Sequence, residues 1–305
     1  MNHLERALDN QNQWWKYLVI FVGGFVASNI IGAIPLAIVL VVKMVRNGMT
    51  SFPANPLDFE AYGINPNVGL VLVIIPFIVA LITVILLLKP LHRRNLKDVI
   101  NGTSVIRWSH FVFAFIVWAL LLAVVFVLEY TMDPTNFTMH FDMNRFLMLV
   151  LVALILMPFQ TTYEEVLFRG YLAQGVYAWT RNRWLVILLP SLIFGFMHFF
   201  NPEVKEYGVW LTIPQYVLLG VLFGLTAVLD DGIETAMGAH AANNIFLSIF
   251  VTNKASVLQT PALLAQQRVD PLKDLFVVLV CSIIFIAILS FRYKWKFAVI
   301  TQKVN

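Results

Sequence analysis

The sequence of 305 residues is 60% hydrophobic and only 12% charged, with a mean hydropathy of +0.80. Soluble domains contain roughly 45–50% apolar and about 25% charged residues, so this composition excludes an ordinary soluble protein and predicts an all-α, polytopic membrane protein. The net charge of +4 comes from basic residues in short loops beside apolar runs, and it predicts no nucleic-acid partner. The single cysteine, Cys281, excludes an internal disulfide.

The N-terminal residues 1–16 are polar and mixed in charge, and a long apolar run follows them. We interpret them as a retained cytoplasmic tail, with Trp14 and Trp15 as anchors at the membrane interface. About 20 mostly apolar residues cross the hydrocarbon core, and this rule predicts eight spans. The predicted spans are residues 17–42, 68–88, 111–130, 146–157, 184–200, 210–229, 233–251 and 272–291, with a helical extension of the fourth to about residue 179 as an option.

The predicted spans differ in how much polarity they bury. Residues 17–144 hold three spans with almost no buried charge, residues 145–251 hold nearly all the polar residues inside spans, and residues 252–305 hold the last span and a basic tail. Lys and Arg concentrate in cytoplasmic loops, and most of those here fall on one side of an eight-span protein, which predicts that both termini are cytoplasmic. These residues are Lys89, Arg93, Arg94, Lys97, Arg107, Arg181, Arg183, Arg292, Lys294, Lys296 and Lys303, whereas Lys43 and Arg46 do not fit.

Two adjacent carboxylates, Glu164 and Glu165, follow the apolar run that ends near Pro158. On a helix they differ by about 100° and point to different faces. Arg169 lies four residues after Glu165, so we expect an ion pair between them that leaves Glu164 free for chemistry. A charge inside the membrane costs about 2.5–3.5 kcal/mol or more, so such residues are as a rule functional. The alternative is an ordinary interfacial salt bridge at the end of a helix.

Later predicted spans contribute two histidines and an asparagine. His198 lies near the end of the fifth span, and His240 and Asn244 share one face of the seventh because they are four residues apart. The small residues around His240 allow another helix to approach closely. The alternatives are that His198 binds a backbone carbonyl of a neighbouring helix and that His240 and Asn244 only join helices by polar contacts.

Taken together, these side chains place a polar site in spans four to seven, and such a set can hydrolyse a peptide bond. A carboxylate or an imidazole can take a proton from water, while an amide and an imidazole N–H can stabilise an oxyanion. The sequence has no HExxH motif. A three-ligand zinc site made by Glu164, His198 and His240 remains an alternative.

The three motifs Glu164-Glu165-x-x-x-Arg169, Phe194-x-x-x-His198 and His240-x-x-x-Asn244 resemble, in this order, those of the CAAX protease and bacteriocin-processing (CPBP, or Abi) family of intramembrane endopeptidases. The resemblance covers about residues 145–250 and identifies 145–251 as the protease core. It implies that Glu164 and His198 activate a water without a metal cofactor. It also implies that His240 and Asn244 form the oxyanion site and that Glu165 and Arg169 support the first motif.

The resemblance implies a protein or peptide substrate at a membrane, with prenylated C-termini, pheromones and bacteriocin leaders all compatible. The compact chain favours the plasma membrane of a bacterium, and the endoplasmic reticulum of a eukaryote is the alternative. Two other functions stay open: a non-enzymatic binding or bacteriocin-immunity factor, and an ion-coupled transporter that uses the Glu and His residues as a proton relay. The span boundaries also place the glutamates and His198 at different depths. A glutamate helix embedded in the protein, or broken spans, would bring them together.

Overall fold

A computed structural model describes residues 3–9, 11–53, 55–103, 105–139 and 141–301. Residues 1, 2 and 10 of the predicted tail, and Lys303 of the basic tail, lie outside the described residues. The described part is built from α-helices, with three short strands, which confirms the all-α membrane fold. The helices are α1 (Trp14–Ala27), α2 (Ile34–Arg46), α3 (Pro66–His92), α4 (Leu96–Ile100), α5 (Trp108–Met132), α6 (Met143–Glu165), α7 (Ala173–Thr180), α8 (Arg183–Met197), α9 (Pro202–Tyr207), α10 (Val209–Leu229), α11 (Glu234–Phe250), α12 (Pro271–Tyr293) and α13 (Ala298–Thr301).

Six of the helical stretches in the described chain are long and apolar enough to cross a membrane. They lie where the first four, the sixth and the eighth spans are predicted: Trp14–Arg46, Pro66–His92, Trp108–Met132, Met143–Thr180, Val209–Leu229 and Pro271–Tyr293. The predicted fifth and seventh spans are the shorter helices α8, of 15 residues, and α11, of 17 residues. At about 1.5 Å per residue both are shorter than the hydrocarbon core, and α11 lies almost wholly buried among the longer helices.

The helix that carries the two glutamates continues past them. α6 runs without a break into a π-helical segment, Val166–Leu172, and then into α7, so that the whole stretch Met143–Thr180 has 38 residues. This confirms the helical extension of the fourth span. Glu164 and Glu165 therefore lie far from either end of this stretch, and the interpretation as a salt bridge at the end of a helix is wrong.

The described N-terminal residues pack against the end of this long helix. A 3₁₀ turn, Glu5–Asp9, follows Leu4, and both Leu4 and Ala7 are fully buried. Leu4 packs in one apolar cluster with Ala173 and Tyr177 of α7. The side chains of Leu4 and Ala7 thus belong to the protein core.

α11 is held closely against α5. A side-chain carbon at Gly238 would lie 2.1 Å from the backbone oxygen of Phe111, so only glycine permits this approach. Ala236 and Ala239 are fully buried in the apolar cluster that also holds Trp118 of α5. This confirms that the small residues around His240 allow a helix to approach.

Two further features fix the ends of α11. At its start, Arg107 donates to Glu234 through its backbone N–H and its Nε, each at 3.1 Å, and through Nη1 to the carbonyl of Asp230 at 2.7 Å. At its other end the chain enters a small sheet with the strand order β1 (Phe137–Met139), β3 (Leu264–Gln266), β2 (Val251–Thr252). β1 pairs antiparallel with β3, and β2 pairs parallel with it. These anchors hold the helix that carries His240.

Candidate active site

Glu165 is the fixed centre of the site. Arg169 donates from Nη1 to Glu165 Oε1 at 2.8 Å, and the two side chains are 1% and 0% exposed. This is the ion pair that the four-residue spacing predicts. His240 Nδ1 lies 2.7 Å from the same oxygen. One carboxylate oxygen therefore accepts hydrogen bonds from Arg169, four residues later in the chain, and from His240 of α11.

His240 lies between the two glutamates. Its Nδ1 faces Glu165, and its Nε2 lies 3.5 Å from Glu164 Oε2. Because Nδ1 faces a carboxylate it carries the proton, so Nε2 is either an acceptor or, in the imidazolium, a second donor towards Glu164. The Glu164 side chain is 10% exposed, whereas that of Glu165 is fully buried. Of the two carboxylates, Glu164 is the one that a water can reach.

Aromatic rings enclose this charged group. Phe223 stacks on His240 with ring centroids 5.0 Å apart, and Phe194 contacts the same ring edge-on at 6.1 Å. The guanidinium carbon of Arg169 lies 4.4 Å from the Phe194 centroid and 5.4 Å from that of Phe223. These rings shield the ion pair from bulk water and strengthen its electrostatics. Phe223 was not predicted as a site residue, since nothing in the sequence separates it from the other 24 phenylalanines.

His198, like His240, lies next to the ring of Phe194. Its Nδ1 donates to the Phe194 carbonyl at 2.7 Å, and its ring centroid lies 4.6 Å from that of Phe194. Among the described residues no hydrogen bond or ion pair joins His198 to Glu164. His198 instead stacks on Tyr216 at 4.1 Å, and Asn201 donates to the Tyr216 hydroxyl at 3.0 Å. Tyr216 is a second neighbour of the site that the sequence did not indicate.

Asn244 lies one helical turn after His240 on α11. Its Oδ1 accepts from Asn243 Nδ2 at 3.1 Å, and Asn243 in turn accepts from Trp118 Nε1 at 3.2 Å. The Asn244 amide nitrogen forms no hydrogen bond to any residue that the structure describes. It is therefore a hydrogen-bond donor that the described residues leave unused.

A family model, "Type II CAAX prenyl endopeptidase Rce1-like", matches residues 144–246, a segment that contains all three motifs. The chain is also similar to the uncharacterized protein YyaK of Bacillus subtilis (strain 168), with 31% identity over 296 residues that cover 96% of this chain and 97% of that protein. The chain belongs to the CPBP family. No solved structure matches the chain significantly.

Membership of the CPBP family, together with the six long apolar helices, identifies a multi-pass membrane protein and supports a CAAX-type intramembrane protease. Within the described part of the chain, no group of three or more His, Cys, Asp or Glu residues is arranged so that it could hold a metal ion.

Proposed function

We propose that the chain is an intramembrane endopeptidase that hydrolyses a peptide bond of a membrane-associated protein or peptide by a water that Glu164 activates. The observation that carries the proposal is the position of His240, which contacts the buried Glu165 through one ring nitrogen and faces the more accessible Glu164 through the other. The family match favours CAAX-type substrates with a lipidated C-terminus, and leader or pheromone peptides are the alternative within the same reaction.

The charges of the buried group favour one additional proton on it. With both glutamates ionised, Arg169 charged and His240 neutral, the buried group would carry a net charge of −1. An unbalanced buried charge is costly, so one further proton is favoured. Glu165 already accepts from Arg169 and His240, which leaves Glu164 and His240 as the pair between which that proton moves.

When this additional proton is on His240, Glu164 is ionised and can act as the general base. Ionised Glu164 takes a proton from the attacking water as its oxygen adds to the scissile carbonyl carbon, and it then passes the proton to the leaving amine nitrogen. The peptide C–N bond breaks, and a carboxyl and an amino terminus form. In the state that starts this step the extra proton is on His240, so that both its ring nitrogens donate.

The donors for the oxyanion come from one face of α11. Nε2–H of protonated His240 and the amide of Asn244, one turn later, are both available to the oxygen of the tetrahedral intermediate. Loss of one such donor typically costs about 10²–10³-fold in kcat. We assign His198 to orient the water: its Nδ1 is bound to the Phe194 carbonyl, so its Nε2 is an acceptor.

We further propose that the reaction does not depend on a metal. Activity should survive prolonged treatment with a zinc chelator. Loss of activity on chelation, with recovery on adding zinc but not magnesium, would contradict this.

For the cellular location we propose a bacterial plasma membrane with both termini in the cytoplasm. The six helical stretches that are long enough to cross a membrane give an even count, and the relative from Bacillus subtilis is bacterial. Fluorescent-protein fusions at each end should both fluoresce, since the reporter folds only on the cytoplasmic side. A dark fusion at one end, with the fusion protein present in full length, would contradict the orientation.

The proposed function is tested by comparing the protein termini in membranes of cells that carry the wild type or Glu164→Gln at equal abundance. New termini that vanish in the variant are expected, and they would also give the substrate. If the termini are identical while the biological effect of the protein persists in both, the protein is a binding or immunity factor. The control is Glu129→Gln, which makes the same chemical change at a partly exposed carboxylate that pairs with Lys273.

A further inference from the structure

A small cavity lies behind the active site, where the N-terminal segment meets α7, α8 and α10. It offers about 10 Å³ to the centre of a water molecule. By this measure a single water needs roughly 10–15 Å³, so the cavity has the size of one water. Its lining is mostly apolar, and the polar side chains that reach it are those of His3, Arg169 and Ser191.

Arg169 lines this cavity and has two unused donors. Its Nη1 is bound to Glu165, but its Nε and Nη2 are buried and have no hydrogen-bond partner among the described residues. A buried donor left unsatisfied costs about 1–3 kcal/mol, and more when the group is charged. The residue that supports the catalytic carboxylate is therefore incompletely bonded by the protein itself.

His3 brings an unused acceptor. Its backbone N–H donates to Asp231 at 3.1 Å, its carbonyl accepts from Gln174 at 2.7 Å, and its ring Nε2 donates to the Val99 carbonyl at 3.0 Å. Because Nε2 faces a carbonyl it carries the ring proton, so Nδ1 is an acceptor. Nδ1 is buried and finds no partner in the described residues. Burial lowers the pKa of His3 to about 4, which keeps the ring neutral at pH 7.

The chemistry of these groups selects the ligand. Arg169 requires an acceptor, and His3 requires a donor. Ser191 donates its hydroxyl hydrogen to the Ile187 carbonyl at 2.6 Å, so its oxygen is a second acceptor. An anion or a carbonyl can only accept, and a cation can only donate, whereas one water can accept from Arg169 while it donates to His3 and Ser191.

We propose that this cavity binds one structural water that joins His3 to Arg169, and that His3 is thereby a positioning residue for the active site. The connection runs from His3 through the water to Arg169, then to Glu165 and His240. It rests on the proposed function in so far as Arg169 supports the catalytic group. The N-terminal segment is then a component of the site. The three hydrogen bonds of His3 hold the segment in the position that this role requires.

The test uses the full-length protein in lipid nanodiscs with ¹⁵N-labelled arginine, and the Arg169 Nε–H signal is assigned by its loss in Arg169→Lys. In the wild type this signal should show a cross-peak to a long-lived water. His3→Phe keeps a ring without an acceptor, so it should shift the signal and remove the cross-peak. His3→Asn keeps an oxygen close to the place of Nδ1 and should retain both.

Other results would overturn the proposal. These are a wild-type signal without a water cross-peak, a signal that is the same in His3→Phe as in the wild type, and a signal that moves on titration with chloride, which would identify an anion site. If His3→Phe does not fold, Ser191→Ala removes the other acceptor and should weaken the same cross-peak.

Activity on a cleaved peptide separates this inference from the proposed function. His3→Phe should lower kcat by roughly threefold or more with KM unchanged, while His3→Asn stays close to the wild type. Equal kcat values for the three proteins would remove the positioning role. A wild type without peptidase activity would refute the proposed function, and the water cross-peak would still decide whether the site exists.

Discussion

His240 Nδ1 and Arg169 Nη1 meet at one atom, Oε1 of Glu165, at 2.7 and 2.8 Å. The carboxylate is thereby bound to its own helix and to α11 at once. The ring of His240 cannot turn without losing this bond, so its Nε2 stays directed towards Glu164. Of the two neighbouring glutamates, Glu165 is the fixed anchor and Glu164 is the more accessible one.

The first prediction concerns this anchor. Arg169→Gln leaves a buried carboxylate with a single partner, and removal of one member of a buried ion pair costs about 3–5 kcal/mol of unfolding free energy. The double variant Glu165→Gln/Arg169→Gln leaves no unpaired charge and should lose less stability than Arg169→Gln alone. The unfolding free energies of the two single variants and of the double variant are measured in bicelles.

A matched control for this prediction is Arg145→Gln, which breaks an exposed pair with Glu60 and should cost no more than about 1 kcal/mol. If the loss of unfolding free energy in the double variant equalled the sum of the losses in Glu165→Gln and Arg169→Gln, the carboxylate and the guanidinium would not act as a pair.

The second prediction concerns the contact between α5 and α11. Gly238→Ala would place a carbon 2.1 Å from the backbone oxygen of Phe111, which no side-chain movement relieves. The helices must separate, at a cost of about 1–3 kcal/mol, and His240 moves with α11. We expect lower stability together with lower kcat.

Gly24→Ala in α1 is the control for this change, since its added carbon would meet only ordinary contacts at 3.5 Å. It should be neutral or slightly stabilising, because alanine favours helix. Wild-type stability and activity in Gly238→Ala would show that the two helices are not packed as described.

The third prediction is a pH dependence from His3. Burial lowers its pKa to about 4, while the charges of Asp231 and Glu234 favour and that of Arg107 disfavours the protonated ring. The unfolded chain therefore binds this proton at higher pH than the folded protein does. Stability from the neutral ring is fully present above about pH 6.5 and is lost as the pH falls towards 4, by about 3 kcal/mol in all.

Unfolding free energies of the wild type and His3→Asn, measured at several pH values, isolate this contribution from other titrating groups. The stability advantage of the wild type should shrink between pH 6.5 and 4. A constant difference over this range would mean that His3 is not buried as a neutral ring.

The sequence predicts those parts of the site that depend on helix geometry alone. The pairing of Glu165 with Arg169 follows from the helical repeat, and the close approach at Gly238 follows from the small residues around it. Both are found in the structure. The continuation of helix through the glutamates follows from the apolar pattern on either side of them.

Other features depend on packing between distant segments, and the sequence does not carry them. The contacts of His198 with Phe194 and Tyr216, for example, join residues that no sequence motif links to each other beyond the spacing of Phe194 and His198. Phe223 reaches His240 from a remote helix, and His3 of the predicted tail lines the same cavity as Arg169. The spans of α8 and α11 were predicted too long, because hydropathy does not distinguish a helix buried in protein from one exposed to lipid.

The central claim is that Glu164 activates the water, and the most direct measurement is peptide cleavage by purified protein in liposomes. The substrate is one identified from the cellular termini, and the products are followed by mass spectrometry for the wild type, Glu164→Gln and Glu129→Gln. We predict that Glu164→Gln reduces kcat by roughly 10²-fold or more, the size of effect expected on loss of a general base, while its fold and substrate binding are retained. Glu129→Gln should cleave like the wild type. Cleavage by Glu164→Gln at the wild-type rate would contradict the account.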